Sequence, residues 1–264
     1  MMDQKEHLQR CLLDIAIDIN DLCDNHNIQY SMDGGTLLGA IRHKGFIPWD
    51  DDLDIAMKRS QYNRFLEVCS ENLDKEKYYI QNNEMYYAFC FSKVQLNGTE
   101  IVEDFSKNVK IRHGIFVDVF PYDNVPDNAI KRKVFLFLNT LLKNMIWAKC
   151  GYGTDEQRKT IRYKIYKLIG LFSSLDKLKS YRLKHLTKYN GYKTQYCFTG
   201  DYPKNLIKNC WFENLTKIRF ESTSLSGFSQ YDDFLKTLYG NYMELPPEEE
   251  RIVHSQYKIN FGKY

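Results

Sequence analysis

The chain has 264 residues, of which 43% are hydrophobic and 27% charged, and this ordinary composition excludes a disordered, collagen-like or coiled-coil protein. Its net charge of +3 is unevenly distributed, because residues 131–188 carry 15 Lys and Arg against 3 Asp and Glu. The polar N-terminus lacks the apolar run of a signal peptide, and the longest apolar stretch, residues 134–148, is shorter than the roughly 20 residues that span a membrane.

The first 125 residues predict alternating helices and short strands. Leu8, Leu12, Ile15 and Ile19 recur at helical spacing, which predicts a helix over residues 5–25. A short strand over 28–33 is followed by a glycine pair and a helix that opens at Thr36. Next come a strand over 51–57, a helix capped by Ser60, and strands over 78–81, 86–95, 100–105 and 111–120.

The second half of the chain is helical and basic. Residues 127–190 follow a helical pattern, and short strands then lead to a helix over 231–239 that ends at Gly240. We predict a catalytic core over 1–125 and, packed on it as one compact unit, a basic helical region with an aromatic C-terminal segment over 126–264. Seven cysteines form no Cys-x-x-Cys pair, which indicates reduced thiols in a cytoplasmic protein.

An acidic cluster, Asp50-Asp51-Asp52-Leu53-Asp54, stands directly before an apolar stretch. Side chains alternate between the two faces of a strand, so Asp50, Asp52 and Asp54 are predicted to share one face. Like charges on one face repel one another, and a divalent cation such as Mg²⁺ or Mn²⁺ removes that repulsion. An acidic turn that caps a strand is the alternative, but it does not explain why two of the carboxylates extend into the apolar stretch.

Two further features complement the acidic cluster. Gly34-Gly35 lies between a predicted strand and a predicted helix, where backbone N–H groups can approach a phosphate and Thr36 adds a hydroxyl. Asp118 lies among Ile, Phe and Val residues, where an ionised carboxylate is costly to bury unless it is paired or binds a metal. Asp123, in a predicted turn after Pro121, is a weaker candidate for the same role.

Three segments carry a family resemblance. Residues 30–55 read YSMDGGTLLGAIRHKGFIPWDDDLDI, residues 113–121 read HGIFVDVFP, and residues 239–249 read YGNYMELPPEE. Together they resemble the LicD family of phosphotransferases, which is related to the fukutin-type transferases and assigned to the nucleotidyltransferase superfold. The similarity spans about residues 10–255, although Asn241 stands where many members have Asp and residues 127–190 carry no matching motif.

The resemblance implies an α+β fold, with a nucleotidyltransferase-type mixed β-sheet flanked by helices and an added basic helical region. It implies metal-dependent transfer of phosphocholine, or a similar CDP-activated phospho-alditol group, from a donor such as CDP-choline or CDP-ribitol. The acceptor would be a hydroxyl of a cell-surface glycan or of its lipid-linked precursor. Phosphoryl transfer requires charge neutralisation and in-line positioning, which suits the acidic cluster and the glycine pair.

The resemblance also implies roles for individual residues. Mg²⁺ or Mn²⁺ would be held by Asp52, Asp54 and Asp118, and either Asp50 or Asp118 would accept the proton of the acceptor hydroxyl. The donor diphosphate would lie against Gly34, Gly35 and Thr36, within reach of Arg42 and Lys44. The candidate acids for the leaving CMP are His43 and His113, and the residues that would close over the site are Arg251 and His254.

Aromatic residues make up 15% of the chain and suit a choline cage or a glycan platform, with core packing as the alternative. The candidates are Trp49, Tyr122, Trp147, Tyr202, Trp211 and Tyr242. The basic block over 131–188 predicts peripheral contact with the inner face of the cell membrane, while a solvated surface or burial against the core explains it equally well.

Two other functions stay open at this level. One is a nucleotidyltransferase that attaches NMP to a small molecule. The other is a nucleic-acid-binding protein that uses the basic block. The acidic cluster argues against the second function, because it would repel phosphate in the absence of a metal, and we expect no nucleic-acid partner.

Overall fold

A computed structural model describes residues 3–202, 206–251 and 256–264. These residues form eight α-helices: α1 Gln4–Asn25, α2 Gly34–Arg42, α3 Arg59–Asn72, α4 Ala129–Cys150, α5 Asp155–Lys159, α6 Ile161–Gly170, α7 Leu175–Leu186 and α8 Tyr231–Tyr239. They also form eleven β-strands: β1 Ser31–Met32, β2 Asp54–Lys58, β3 Tyr78–Gln81, β4 Ser92–Leu96, β5 Glu100–Glu103, β6 Phe116–Asn124, β7 Tyr196–Thr199, β8 Leu206–Lys208, β9 Leu215–Phe220, β10 Thr223–Phe228 and β11 Gln256–Asn260. The α+β class is confirmed.

Seven strands form one mixed sheet around β6. The strand order is β1-β2-β6-β4-β3, and β7 pairs with β6 and then with β8. Strands β2 and β6 run parallel, whereas the other pairs in this sheet are antiparallel. One edge of β6 is paired with β2, and the other edge is paired first with β4 and then with β7. The pairs β9/β10 and β5/β11 form two small separate sheets.

The central strand β6 is buried from residue 117 to residue 123. Its residues Val117 and Val119 share one hydrophobic core with Leu12 and Ile15, which belong to the periodic apolar face of α1. Pro121 lies inside β6 although proline has no N–H to donate. It is tolerated because it falls between residue 119, where pairing with β4 ends, and residue 122, where pairing with β7 begins.

The glycine pair begins a helix rather than preceding one. The predicted strand over 28–33 is reduced to Ser31–Met32, and α2 begins at Gly34 instead of Thr36. Asp33 caps this helix, since its carboxylate accepts the N–H of Gly34 at 2.9 Å. A capping Asp satisfies a first-turn N–H that the helix itself leaves open, so the helix starts directly after it.

The strand after the acidic cluster starts later than predicted, at Asp54. The N–H of Asp50 is held in a turn by the carbonyl of Ile47 at 2.9 Å, and residues 51–53 are irregular. Pairing with β6 begins only at Asp54. The prediction that Asp50, Asp52 and Asp54 share one strand face is therefore wrong, because only the last of them lies in the strand.

The next helix starts without a side-chain cap. Helix α3 begins at Arg59, directly after β2, so the prediction that Ser60 caps it is wrong. The Arg59 guanidinium is held instead by Asp123, with Nη2 2.7 Å from the carboxylate. Asp123 lies in β6 and not in a turn, because β6 continues through Pro121. Its buried ion pair with Arg59 gives Asp123 a structural role.

The strands predicted between 86 and 120 are shorter or displaced. The structure has Ser92–Leu96, Glu100–Glu103 and Phe116–Asn124 in place of 86–95, 100–105 and 111–120. Apolar residues such as Tyr87 and Ile115 are fully buried without belonging to a strand. Their hydrophobic character reflects core packing and not strand pairing, which a pattern of apolar residues cannot distinguish.

Residues beyond 125 return to the same sheet. Helices α4 to α7 make up most of the predicted basic region, and β7 then pairs Cys197 with Asn124 of β6. The main sheet therefore contains strands from both sides of the boundary predicted near residue 125. The division into 1–125 and 126–264 stays a prediction.

Within the ranges given above, no helix combines the length and the hydropathy that crossing a membrane requires. Helix α4 has 22 residues, but five of them are Lys or Arg. All seven cysteines lie in the described ranges and are free thiols, as their spacing predicted, and Cys210 is the exposed one.

Candidate active site

Asp54 and Asp118 are direct neighbours on the parallel strands β2 and β6. Adjacent strands lie about 4.8 Å apart, and paired residues point to the same face of a sheet. The N–H of Asp118 donates to the carbonyl of Leu53 at 3.0 Å, which holds the register at this point. Lys93 of β4 pairs with Asp118 from the other side. Two carboxylates that are 64 positions apart in the sequence are thus brought together.

The environment of these carboxylates opposes their ionisation. Burial raises the pKa of Asp54 well above its ordinary value, and the charges of Asp52 and Asp118 raise it further. Burial also raises the pKa of Asp118, although the ammonium group of Lys93 lowers it. The Oδ1 atom of Asp118 is buried without a hydrogen bond, and Lys93 Nζ lies 3.5 Å from it. A further cation at this oxygen would favour the ionised form of both carboxylates.

Lys93 is a buried cation that sequence reasoning missed. Its Nζ lies 3.5 Å from Asp118 Oδ1, 3.5 Å from Glu103 Oε2 and 3.1 Å from the centroid of the Phe116 ring. Lysine is almost never fully buried unless it is paired. A lysine shortly after the apolar run of residues 86–91 was therefore the available signal, but nothing local identified its carboxylate partners.

The N-terminus of α2 lies against the acidic cluster. Thr36 is buried, and its Oγ1 accepts the N–H of Asp54 at 2.9 Å, which ties the helix to the start of β2. A Cβ atom at Gly35 would lie 3.1 Å from Asp50 Oδ2, so glycine allows this carboxylate to lie close to the bend. The structure thus places Gly35, Thr36, Asp50 and Asp54 in one region, as the sequence predicted.

Asp33 connects the glycine bend to the core. It accepts the N–H of Gly34 at 2.9 Å and the hydroxyl of Tyr122 at 2.7 Å. Burial raises the pKa of Asp33 to about 6, and the two hydrogen bonds act in the opposite direction. Because the Gly34 N–H is already used, the first-turn amides of Gly35 and Thr36 are the ones that an anion can approach.

Tyr239, at the end of α8, reaches the same bend. A Cβ atom at Gly34, which adopts a φ of +45°, would lie 3.4 Å from the Tyr239 hydroxyl oxygen. Burial raises the pKa of this hydroxyl, and the charges of Asp33 and Asp54 raise it further. Residue-level reasoning did not single out Tyr239, and the available signal was its place in the third resembling segment.

Arg42 and Lys44 are not brought to the glycine bend. Arg42 lies at the opposite end of α2, and its Nη1 donates to the carbonyls of Tyr242 at 2.8 Å and Glu244 at 3.2 Å. Lys44 is exposed, and its Nζ donates to the carbonyl of Ile41 at 3.0 Å. Arg42 therefore holds the C-terminal segment against α2, and the contact of either residue with a diphosphate stays a prediction.

The predicted proton donors have partners other than the predicted site carboxylates. His43 accepts a hydrogen bond from Arg42 Nε at 2.9 Å, and its ring contacts Trp49 edge-on. His113 lines a different cavity of about 770 Å³, whose lining contains none of the predicted site carboxylates. Arg251 lies over the ring of Trp49 at 4.9 Å, and Trp49 directly precedes the acidic cluster in the sequence. His254 lies outside the described residues.

A cavity of about 180 Å³ opens beside the carboxylates. Its acidic lining consists of Asp51, Asp52, Glu103, Asp118 and Asp201, and Lys93 and Lys143 add ammonium groups. Much of the remaining lining is aromatic: Phe89, Phe91, Phe105, Phe116, Trp147 and Tyr202. The cavity therefore combines both signs of charge with aromatic ring surfaces.

Two of the predicted aromatic candidates, Trp147 and Tyr202, line this cavity. Trp147 stacks on Phe105 with the ring centroids 5.6 Å apart, and Tyr202 is 48% exposed. Core packing explains three other candidates, which are buried: Tyr122, Trp211 and Tyr242. Sequence alone could not separate the two groups, because both consist of aromatic residues in mixed apolar surroundings.

The donor set suits a hard divalent cation. Carboxylate oxygens are preferred ligands of Mg²⁺ and Mn²⁺, and here one buried carboxylate oxygen lacks a hydrogen bond. Within the described part of the chain, however, no three His, Cys, Asp or Glu side chains converge as a ready ligand set in their present rotamers. Asp52, Asp54 and Asp118 thus fit a cation by charge and chemistry, and their role as its ligands stays a prediction.

Comparison with known proteins gives three results. Residues 27–147 match the family described as LicD/FKTN/FKRP, nucleotidyltransferase domain. The chain is 31% identical to the lipopolysaccharide cholinephosphotransferase LicD of Haemophilus influenzae, over 93% of this chain and 94% of that protein. Over 28% of the chain it is 37% identical to an uncharacterized protein of Rickettsia typhi, of which the match covers 24%. The first match includes the glycine bend, the acidic cluster and Asp118.

Proposed function

This chain belongs to the LicD family, and on that premise we propose that it transfers phosphocholine, or a similar phospho-alditol group, from a CDP-linked donor. The acceptor in this proposal is a hydroxyl of lipopolysaccharide, of another cell-surface glycan or of a lipid-linked precursor. The name of the Haemophilus influenzae relative supports phosphocholine as the group and lipopolysaccharide as the acceptor. The observation that carries the proposal is the pairing of Asp54 with Asp118 next to the N-terminus of α2.

Asp52, Asp54 and Asp118 would hold Mg²⁺ or Mn²⁺ in this proposal. When bound, such a cation supplies positive charge that offsets the negative charge of the diphosphate. Support comes from the buried Oδ1 of Asp118, which has no hydrogen bond, and from the mutual repulsion that raises the pKa of Asp54. Asp51 also lines the cavity, but it has no assigned role.

The chain's own groups would orient the donor and move one proton. The amides of Gly35 and Thr36 donate to diphosphate oxygens at the N-terminus of α2. Asp50 or Asp118 accepts the proton of the acceptor hydroxyl while its oxygen forms a bond to the donor phosphorus. The bond between that phosphorus and the CMP oxygen breaks, and CMP leaves with the electron pair. Positioning and charge, more than covalent chemistry, supply the rate enhancement of such transfers.

The aromatic cavity would bind the choline headgroup. Aromatic faces attract ammonium groups, and Lys143 Nζ lies 5.8 Å from the ring centroid of Trp147 and 5.9 Å from that of Tyr202. In this proposal the choline group takes the place of the Lys143 ammonium against these rings, and Asp52 and Asp201 add negative charge. At about 180 Å³ the cavity is smaller than the roughly 300 Å³ at which drug-sized ligand pockets begin, so it suits a headgroup and not a nucleotide.

The donor experiment separates this proposal from the nucleotidyltransferase alternative. The purified protein is incubated with CDP-choline, CDP-ribitol, CTP or ATP, together with Mg²⁺ and a lipopolysaccharide acceptor. Release of CMP from CDP-choline, with the phosphocholine transferred to the acceptor, supports the proposal. Release of pyrophosphate from CTP or ATP, without CMP from a CDP-linked donor, contradicts it.

Matched variants connect the reaction to the proposed site. Asp54→Asn and Asp118→Asn should each lower kcat by about 100-fold or more, which is the scale of removing an electrostatic group from a reaction centre. Asp233→Asn serves as the control, because Asp233 is an exposed residue of α8. Equal activity of all three variants would exclude the site. The location of the protein in the cytoplasm, at the inner face of the cell membrane, stays a prediction from the sequence.

A further inference from the structure

The outer face of α6 is apolar. Ile161, Ile165, Leu168 and Phe172 recur every third or fourth residue, so they form one stripe along α6 and the residues directly after it. They are 77%, 50%, 60% and 85% exposed. A helix on the surface of a soluble protein normally turns its apolar side inwards, whereas α6 exposes these apolar side chains together with its charged ones.

The opposite face of α6 is fixed to α4, so the stripe cannot turn inwards without breaking that contact. The hydroxyl of Tyr163 donates to the carbonyl of Ala148 at 3.2 Å, and Lys149 Nζ donates to the carbonyl of Gly170 at 2.9 Å. Gly170 is buried in this contact. The exposure of the apolar stripe is therefore a consequence of how α6 packs.

The N-terminal half of α4 repeats this arrangement. Ile130, Val134 and Phe137 lie along one face of the helix and are 75%, 53% and 66% exposed. The other face carries Phe135 and Asn139, which are buried. Ten of the nineteen exposed large apolar side chains in the described ranges lie between residues 130 and 172, so this is a concentration and not a random scatter.

Positive charge borders both stripes. Residues 131–188 carry a charge of +12, from 15 basic and 3 acidic residues. Lys131 and Lys133 are exposed beside the α4 stripe, and Arg162, Lys164 and Lys167 are exposed beside the α6 stripe. Exposed apolar side chains bordered by Lys and Arg are the pattern of helices that lie in the interface of an anionic bilayer.

We propose that the apolar stripes of α4 and α6, bordered by these basic residues, dock the protein onto the surface of an anionic lipid bilayer. The charge selects this partner over a second copy of the chain, because two such faces carry the same sign and would repel each other. The exposed apolar residues argue against nucleic acid, because most of them are aliphatic and the bases of a nucleic acid stack on aromatic side chains. The proposal extends the proposed function without depending on it, because docking is measured without donor or acceptor.

Vesicle flotation tests the docking surface. The full chain should bind vesicles of phosphatidylcholine mixed with phosphatidylglycerol, and bind pure phosphatidylcholine at least tenfold more weakly. The variant Ile165→Ser, Leu168→Ser, Phe172→Ser should lose at least tenfold of its affinity for the anionic vesicles. The variant Arg162→Ala, Lys164→Ala, Lys167→Ala should bind the anionic vesicles more weakly than the wild type, and its binding should change less with salt concentration. The matched control Met85→Ser, Tyr192→Ser removes apolar residues that are 61% and 66% exposed elsewhere, and it should bind like the wild type.

A single-site reporter covers the case in which the triple variants do not fold. Phe172→Trp replaces an 85% exposed side chain, so the fold tolerates it, and its fluorescence should shift to the blue with anionic vesicles alone. Absent binding of the wild type to anionic vesicles, or unchanged binding of the apolar variant, would overturn the proposal. The proposal would also be overturned if the wild type formed a dimer without lipid and the apolar variant stayed monomeric. The apolar variant should modify a water-soluble acceptor at the same rate as the wild type. Loss of vesicle binding therefore tests the docking surface, and loss of this reaction in the wild type tests the phosphotransferase proposal.

Discussion

Asp118 is a residue at which stability and function oppose each other. The residue is 8% exposed, one of its carboxylate oxygens has no hydrogen bond, and its neighbour on the next strand is another Asp. An uncompensated buried charge of this kind destabilises a folded protein. The ion pair with Lys93 at 3.5 Å offsets part of that cost, and a bound cation would offset more.

Asp118→Asn should stabilise the protein while it abolishes activity. In metal-free buffer we expect the free energy of unfolding to rise by about 1–2 kcal/mol, because the substitution removes the repulsion between Asp118 and Asp54 and keeps the side-chain shape, while Lys93 keeps its second partner Glu103 at 3.5 Å. Urea unfolding with a chelator present measures the change. A loss of stability together with the loss of activity would mean that the carboxylate has a structural role.

Trp147 should determine the preference for the donor headgroup. We expect Trp147→Ala to raise the KM for CDP-choline about tenfold, since a cation–π contact contributes about 1–2 kcal/mol when desolvated. The KM for CDP-ribitol, which has no ammonium group, should change much less. Steady-state kinetics of wild type and variant with both donors make the comparison. A general folding defect would lower the activity with both donors equally, so a change confined to CDP-choline excludes it. Equal effects on the two donors would contradict the assignment.

Asp33 should make the stability of the protein depend on pH. Its pKa is about 6 in the folded state and 3.8 ordinarily, so the folded protein holds this proton more tightly. Stability should therefore fall as the pH rises between these two values, by about 3 kcal/mol for a shift of roughly two units. Asp33→Asn keeps an acceptor for the Gly34 N–H, and it should remove this part of the slope. Urea unfolding of both proteins with a chelator, at several pH values, tests this. If the difference in the free energy of unfolding between the wild type and Asp33→Asn does not change with pH, the role assigned to Asp33 is contradicted.

Among the elements, helix α2 uses its glycines in two different ways. Gly35 leaves space beside Asp50, where a Cβ atom would lie 3.1 Å from a carboxylate oxygen that can move. Gly39 lies where a Cβ atom would approach the backbone carbonyl oxygen of Gly45 to 2.4 Å. The first contact can be relieved by rotation of a side chain, whereas the second requires the backbone to move.

Alanine at these two positions should separate activity from stability. Gly35→Ala is expected to lower kcat/KM by about tenfold or more, with a stability change below about 1 kcal/mol, because it narrows the site proposed for the diphosphate. Gly39→Ala should instead lower the free energy of unfolding by about 2 kcal/mol or more, because it strains a packed backbone contact. Kinetics and thermal unfolding of both variants give the comparison. A large stability loss in Gly35→Ala would contradict the open space assigned to that position.

At the scale of the whole molecule, a buried polar network joins both sides of the boundary predicted near residue 125. Arg182 of α7 is 1% exposed and bonds to Asp201 at 2.8 Å and to Asn139 of α4 at 3.2 Å. It also donates to the carbonyl of Ala88, and Asp201 accepts the N–H of Cys90 at 2.7 Å. The helical region is thereby tied to the segment that leads into β4.

Arg182→Leu should therefore destabilise the entire chain. Removing one partner leaves Asp201 as an uncompensated buried charge, which typically costs about 3–5 kcal/mol. We expect wild type and variant each to unfold in one cooperative transition, because the main sheet contains strands from both predicted parts. Far-UV circular dichroism and tryptophan fluorescence should give the same midpoint. Two separate transitions would indicate that 1–125 and 126–264 fold as independent domains.

The amino-acid sequence was sufficient for the features that depend on local pattern. The periodic apolar residues of α1, the basic helical region and the order of glycine bend, acidic cluster and Asp118 all follow from residues near one another in the chain. The α+β class and the family could be recognised on the same basis. Helix and strand ends were less predictable, because Asp33 moves a helix start and the pairing of β2 with β6 decides where the strand begins.

Tertiary structure decided which distant residues act together. The pairing of Asp54 with Asp118, the approach of Lys93 and Tyr239, and the position of Trp147 and Tyr202 in the cavity lining depend on strand register and on how helices pack. Burial and pairing depend on the whole chain, so the local sequence does not encode them one residue at a time. For the same reason the outward direction of the α6 apolar stripe became visible only once α6 was packed against α4.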